Sequence, residues 1–409
     1  MRILHTADWH LGDRLGRIDR TDDLRRAVER IAAYCRDERA DVLLVAGDLF
    51  SELARPDGLR DAIRHLQETF GRFLHEGGTI LAITGNHDNE GFCQTLWHAM
   101  SLASPASAAI NHKGAIGRLH LATAPSLLRL PDRRENFDVQ FLLMPFPTPG
   151  AYLTDEPSHR YTSLDEKNRH LLAAFSRKLE ALRADAGNHG ATPMVLAAHV
   201  SVTGSQLSTL FRLNREEDLV LADELLPQDL TYVALGHIHK PQFLAGRSHV
   251  RYSGSIERLD LGEAQDTKSA VLFDVNANGL VGEPVLLPLD ATPIYEVDIV
   301  SPKEQLPTLA ERYADAHRDL VNLHIRYTAG TDSLEEILQK LDKIFPRWYS
   351  RDWHESGTLG AALTTGDNCR SKSFEETVRE YLGTELVNHA EEERDALLER
   401  AEKLLKEDS

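Results

Sequence analysis

Short apolar runs alternate along the chain with longer stretches in which apolar residues recur every three or four positions. The runs predict strands at Arg2–Ala7, Val42–Ala46, Ile80–Thr84, Val139–Met144, Met194–His199, Tyr232–His237, Arg251–Ser253 and Ala270–Val275. The longer stretches predict helices at Asp22–Arg36, Gly58–His75 and Leu164–Asp185. In the first of these, Leu24, Val28, Ile31 and Ala32 share one face, an amphipathic stripe. Early alternation followed by consecutive strands predicts a sheet-based α/β body with β-rich additions. No internal repeat is visible.

The pattern changes at Leu287–Pro293, where Pro288 and Pro293 punctuate the chain. Beyond it come strand Tyr295–Val300, helix Lys303–His317, strand Val321–Tyr327, helix Ser333–Phe345 and strand Trp348–Trp353, a small βαβαβ module. Ser356–Lys372 is rich in Gly, Thr and Ser and reads as a linker. From Phe374 to Ser409 the pattern is helical, with Phe374, Val378, Leu382 and Leu386 four residues apart and Leu397, Ala401, Leu404 and Leu405 continuing the stripe. The expected organisation is a main domain over 1–287, a second over 293–354, a linker over 355–373 and a helical tail over 374–409.

Composition narrows the classes. The 409 residues carry 46 Lys+Arg against 64 Asp+Glu, a net charge of −18. That argues against a protein that coats nucleic acid or a basic membrane-surface protein, both of which need spread positive charge. An enzyme that meets a phosphate backbone through one local site is compatible with it. The tail holds 12 acids and 5 bases and so carries −7 of the −18. The three cysteines, Cys35, Cys93 and Cys369, form no CxxC pair and fit a reducing cytosol. A polar residue by position five argues against a signal peptide. No run approaches the ~20 apolar residues of a membrane span. There is no GxxxxGK[ST] loop for ATP, no GxSxG elbow and no GxGxxG opening a helix.

Five segments carry candidate chemistry: Asp8-Trp-His10, Gly47-Asp48, Gly85-Asn-His-Asp88, His199 and Gly236-His-Ile-His239. Each falls at the end of a predicted strand, and strand ends of a sheet converge on one edge. Asp8 and His10 are two apart, as are His237 and His239, so each pair lies on one side of an extended backbone. Carboxylate, imidazole and amide oxygen together suit Mn²⁺, Fe²⁺ or Zn²⁺. Asp8, His10, Asp48, Asn86, His199, His237 and His239 are too many donors for one tetrahedral site, whereas two metals sharing one carboxylate account for all of them. Asp48, ending the second strand, is the natural bridge. Taken singly, each segment has an ordinary explanation; Gly-Asp after a strand is very often just a turn. The ordered set is what carries weight.

That set, D-x-H, G-D, G-N-H-D, H and G-H-x-H, resembles the calcineurin-like metallophosphoesterases over about residues 1–285. More narrowly, Ala7-Asp-Trp-His-Leu-Gly12, Gly47-Asp-Leu-Phe50 and Gly236-His-Ile-His239 resemble the Mre-type nucleases. The resemblance implies a β-sandwich flanked by helices, a small α/β capping domain and a C-terminal helical tail that grips an SMC-like ATPase. It implies that Asp8, His10, Asp48 and His239 hold one metal and Asp48, Asn86, His199 and His237 the other, most readily Mn²⁺. His87 would be the phosphate-contacting acid and Asp88 would orient it. The family's activities are 3′→5′ exonuclease on duplex ends and endonuclease on single strands or hairpins, in DNA repair, recombination and replication. A homodimer is expected, through helices near Gly58–His75 and Phe92–Ser101, in a cytoplasmic, nucleoid-associated complex. One departure is Ser51, at a position three after the Gly-Asp aspartate where many phosphoesterases have an acid. Arg14, Arg17 and Arg20 are candidates for backbone phosphates, with solvated loop arginines as the ordinary alternative. Two other functions stay open: a phosphoesterase acting on a small nucleotide or lipid phosphodiester, and a dimeric scaffold that docks the ATPase.

Overall fold

The computed structural model describes residues 1–103, 118–154, 160–187, 192–207, 219–244 and 246–355. The predicted tail and nearly all of the predicted linker lie outside them. In chain order the main elements are β1 (Arg2–Thr6), α1 (Thr21–Asp37), β2 (Val42–Ala46), α2 (Pro56–His75), β3 (Thr79–Ile83), α3 (Glu90–Ala103), β4 (Leu119–Ala122), β5 (Ser126–Pro131) and β6 (Asp138–Met144). There follow α4 (Leu164–Gly187), β7 (Met194–His199), β8 (Tyr232–Gly236), β9 (Gln242–Leu244), β10 (Arg247–Tyr252), β11 (Ser269–Asn276) and β12 (Gly279–Pro288). A last group holds β13 (Ile294–Ile299), α5 (Pro302–Arg312), β14 (Leu320–Tyr327), α6 (Leu334–Ile344) and β15 (Trp348–Glu355).

Two six-stranded sheets form the body, in the orders β12-β11-β1-β2-β3-β4 and β9-β10-β8-β7-β6-β5. Within the first, β1, β2, β3 and β4 run parallel. Within the second, β10, β8, β7 and β6 do so. Parallel strands covered on both faces read as continuous apolar runs, which is why β2 is Val-Leu-Leu-Val-Ala and fully buried. Alternate residues separate two cores. Leu44, Leu81 and Ile83 meet Phe141, Val195, Tyr232 and Ala234 between the sheets. Leu43, Val45 and Ala82 point the other way, against Leu24, Val28, Ile31, Phe70 and Phe73 of α1 and α2. On the far side Leu142, Leu196 and Val233 pack on Leu171, Phe175 and Leu179 of α4. The result is a β-sandwich flanked by helices.

The third sheet, β13-β14-β15, packs on this body. Ile294 and Leu320 are buried with Ile18, with Leu15, Leu261 and Tyr349 against them. Arg347 donates to both carboxylate oxygens of buried Asp23. The helix expected to reach His317 stops at Arg312; the Tyr313 ring turns in to stack near Tyr295 and Phe345. Residues Arg326–Ser333 belong to a separate unit and turn on N–H bonds from Thr331 and Asp332 to the Thr328 carbonyl. No described helix is long and apolar enough to cross a membrane.

Candidate metal centre

The carboxyl ends of β1, β2, β3, β7 and β8 open on one edge of the sandwich. There the chain turns sharply, and the turns are left-handed at side chains that are not glycine: Asp8 (φ 53°), His10 (φ 46°), Asp48 (φ 52°) and His237 (φ 92°). Each such residue costs roughly 1–2 kcal/mol. The backbone holds them. The N–H of Asp8 donates to Gly47 O at 3.0 Å, and those of Trp9 and His10 to Asp48 O at 2.8 and 3.0 Å. The His237 N–H donates to Asp8 Oδ1 at 3.0 Å, joining the two sheets. Gly47 and Gly85 leave room for this crowding. A Cβ on Gly47 would sit 2.1 Å from His199 Nδ1, and one on Gly85 2.1 Å from Asp48 Oδ1.

All seven predicted donors meet at this edge. Asp8, His10 and His239 place one donor atom each within 4.8 Å of one another, and so do Asp8, Asp48 and His199. Asp48 Oδ1 accepts the His87 N–H at 2.8 Å. Its Oδ2 lies 3.6 Å from His10 Nε2 and 3.2 Å from His199 Nε2. Asn86 Oδ1 lies 3.0 Å from His199 Nε2 and 2.8 Å from His237 Nδ1. Asp48 Oδ2 and His10 Nε2 are buried without a hydrogen-bond partner. A buried carboxylate oxygen aimed between two imidazoles costs free energy unless something positive sits there. The two clusters, which share Asp8, have the donor chemistry to hold divalent cations.

Burial and the surrounding charges set different protonation states across the donors. Burial pushes His10 and His237 down to about 3, so both rings are neutral ligands at pH 7. Burial opposes ionisation of Asp48, but the charges of His199 and His10 outweigh it and hold its carboxyl well below the usual range. For His199 the order is the same: burial lowers it, and Asp48 with Asp8 overcomes that, holding the ring at about 9.

Support for the ligands comes from residues the strand-end motifs did not reveal. His199 Nδ1 lies 2.7 Å from Ala46 O, which directs Nε2 to the centre. His239 Nδ1 lies 2.8 Å from Glu263 Oε1. The other Glu263 oxygen takes buried Lys268 at 2.6 Å and Ser255 Oγ at 3.0 Å, and Lys268 also donates to His239 O at 2.9 Å. A carboxylate behind a metal-binding histidine fixes the ring's tautomer and raises its basicity. Glu263 sits on a one-turn helix 24 residues after His239, where no periodicity marks it.

Three expectations change in detail. Asp88 accepts N–H bonds from Gly85 and Phe50 at 2.8 Å and from Leu49 at 3.2 Å, so it fastens two strand-end loops together. The carboxylate in ion-pair range of the His87 ring is that of Glu52, 3.6 Å from Nδ1. Ser51 turns away and donates to Asp13 at 2.9 Å. Arg20 is fully buried between Asp23 and Glu257, and Arg17 stacks 4.0 Å over Trp348 while donating to carbonyls of the third sheet. Neither guanidinium is directed to a substrate. Trp9 is buried and stacks on Phe70, a packing role. His87 stands at the mouth, about a third exposed, its ring centroid 5.0 Å from that of His10.

Comparison with known proteins agrees with this geometry. Residues 1–241 match the calcineurin-like phosphoesterase family. With that match over more than half the chain, on the sandwich and centre just described, the chain belongs to the calcineurin-like phosphoesterases, which are metal-dependent hydrolases. Among curated relatives it is 29% identical over 67% of its length to the SbcD component of the Bacillus subtilis nuclease SbcCD. It is 30% identical over 70% of its length to the Rhodobacter capsulatus protein of the same name, and 28% over 66% to that of Escherichia coli. The matched region spans 66%, 69% and 63% of those relatives' own lengths.

Proposed function

We propose that the chain is a two-metal-dependent DNA nuclease of the SbcD type, cleaving phosphodiester bonds as a 3′→5′ exonuclease on duplex ends and as an endonuclease on single strands and hairpins. The observation that carries the chemistry is Asp48 Oδ2, buried without a hydrogen-bond partner 3.6 Å from His10 Nε2 and 3.2 Å from His199 Nε2. Asp8, His10, Asp48 and His239 hold one cation and Asp48, Asn86, His199 and His237 the other, with Mn²⁺ the expected ion. When bound, such a pair would supply Lewis-acid stabilisation of the displacement and make hydroxide available near neutral pH. The chain's own part is positional. Asp48 spaces the two sites, Glu263 holds the His239 ring, and His87 at the mouth delivers a proton to the departing oxygen.

The named relatives support DNA as substrate and an SbcC-type, SMC-like ATPase as partner; residues 293–354 then act as the capping domain and the acidic tail, 374–409, as the contact with the ATPase. Exposed Trp97 and Leu102 on α3 support a homodimer within a heterotetramer. The test is to incubate the purified chain and Mn²⁺ with linear duplex, hairpin and single-stranded DNA, with and without the ATPase. Cleavage of the DNA substrates is expected. Hydrolysis confined to p-nitrophenyl-type esters would replace this reading with a small-substrate phosphoesterase.

A further inference from the structure

At the opposite ends of the same strands lies a cavity of about 340 Å³ outside the centre described above. Asp41, one residue before β2, lines it, and Asp48 follows β2 at the other end. Seven residue steps at about 3.3 Å each place the two up to roughly 23 Å apart. Arg36 and Arg39 come to the cavity from the end of α1, and Arg133 and Arg134 from the turn between β5 and β6. In a chain of net charge −18, four arginines here face two acids, Asp41 and Glu76.

Both acids are already engaged. Glu76 accepts from Arg72 at 2.8 Å. Asp41 accepts the Arg2 N–H at 2.8 Å and Arg134 at 3.3 Å. Burial pushes the Cys35 thiol on the cavity wall up to about 12, so it adds no negative charge. Arg133 and Arg134 partly serve the fold, donating to the carbonyls of Glu76 and Arg39. Arg36 and Arg39 have no hydrogen-bond or ion-pair partner for their guanidiniums among the described residues.

Arg39 supplies an independent sign. α1 and α2 both end at this cavity in the same turn. The N–H groups of Arg39 and Ala40 bond the carbonyls of Arg36 and Cys35, and those of Gly77 and Gly78 bond Leu74 and Phe73. That turn needs one left-handed residue, and glycine is its usual occupant. α2 has Gly77 there (φ 90°), whereas α1 has Arg39 (φ 53°). The other described non-glycine residues with positive φ are Asp8, His10, Asp48 and His237, all in the metal centre. Strain of this kind persists where function requires the side chain.

We propose that this cavity binds a phosphate-bearing anion of up to about mononucleotide size, through the guanidiniums of Arg36 and Arg39 backed by Arg133 and Arg134. Guanidinium forks match phosphate oxygens two at a time, and the volume falls within the ~300–1,000 Å³ of small-ligand pockets. The phosphate can belong to a free nucleotide or to a nucleic-acid backbone. Calorimetric titration of the full chain with AMP, and separately with a cleavage-resistant phosphorothioate duplex, distinguishes these sources. Binding by AMP assigns a nucleotide site, and binding by the duplex alone assigns a backbone contact. Arg36→Gln and Arg39→Gly are each expected to weaken that binding at least tenfold while leaving Mn²⁺-dependent ester hydrolysis unchanged. Arg39→Gly is also expected to raise Tm, because glycine relieves the left-handed turn. Binding of both probes by both variants within twofold of the unaltered chain, no binding to the unaltered chain, or a lower Tm for Arg39→Gly would each overturn the proposal.

Discussion

Replacing Glu263 by Gln keeps the shape behind His239 and removes the charge that ring and Lys268 share. Burial opposes ionisation of Glu263, yet His239 and Lys268 hold its carboxyl down at about 2. Losing that charge is expected to weaken one metal site by about 10–100-fold, readable as metal affinity in calorimetric titration and as fewer retained metals after gel filtration. His87→Ala separates a different role: cleavage is expected to fall by about 10²–10⁴-fold while metal analysis still finds two ions per chain. Loss of both metals in that variant would make His87 a ligand. Asp88→Ala acts on neither step directly. It leaves the N–H groups of Leu49, Phe50 and Gly85 without their acceptor, and urea unfolding is expected to show a loss of at least about 2 kcal/mol.

The elements differ in how plainly the sequence announced them. β2 and β7 are legible to the residue because buried parallel strands are unbroken apolar runs, and the ligands are legible because they stand where those runs stop. β5 carries Pro131 and only one buried residue, and β12 lies at a sheet edge with most of its side chains half-exposed or exposed, so neither shows the pattern of a covered strand. Glu263 was hidden for another reason: a side chain on a one-turn helix has no period to betray it. In the third sheet, His324 of β14 lies 2.6 Å from Asp352 and 3.3 Å from Glu296. Burial lowers its pKa, but those two carboxylates outweigh this and leave it raised. A histidine raised in the folded state adds stability that is complete below its unfolded pKa of about 6.5 and lost as pH climbs past the raised value. The Tm difference between the unaltered chain and His324→Gln is therefore expected to be larger at pH 5.5 than at pH 9.

For the whole molecule, the negative surplus and the centre have to be reconciled. Two divalent cations would overcompensate Asp8 and Asp48, so attraction at the scissile phosphodiester would be local and metal-borne. Metal-stripped protein is expected to bind duplex DNA more weakly at physiological salt than the Mn²⁺-loaded chain, and equal affinity measured by anisotropy would refute this. Metal held by the proposed ligands would also join the layers, since Asp8, His10, Asp48 and Asn86 follow strands of one sheet and His199, His237 and His239 end or follow those of the other. Chelation is then expected to lower global stability by about 2.7 kcal/mol for each site held at one hundred times its Kd, seen as a fall in Tm with EDTA. The same division of ligands has a bearing on biosynthesis. A nascent chain that has just completed β3 and its loop owns four donors and no second wall. At about 5–20 residues per second the ribosome needs roughly 10–50 s to travel from Asp8 to His239. Complete metal loading would thus have to wait until at least residue 239 of the 409 has been made, and a truncated product ending before β7 would leave the ribosome unable to hold either ion as the finished protein does.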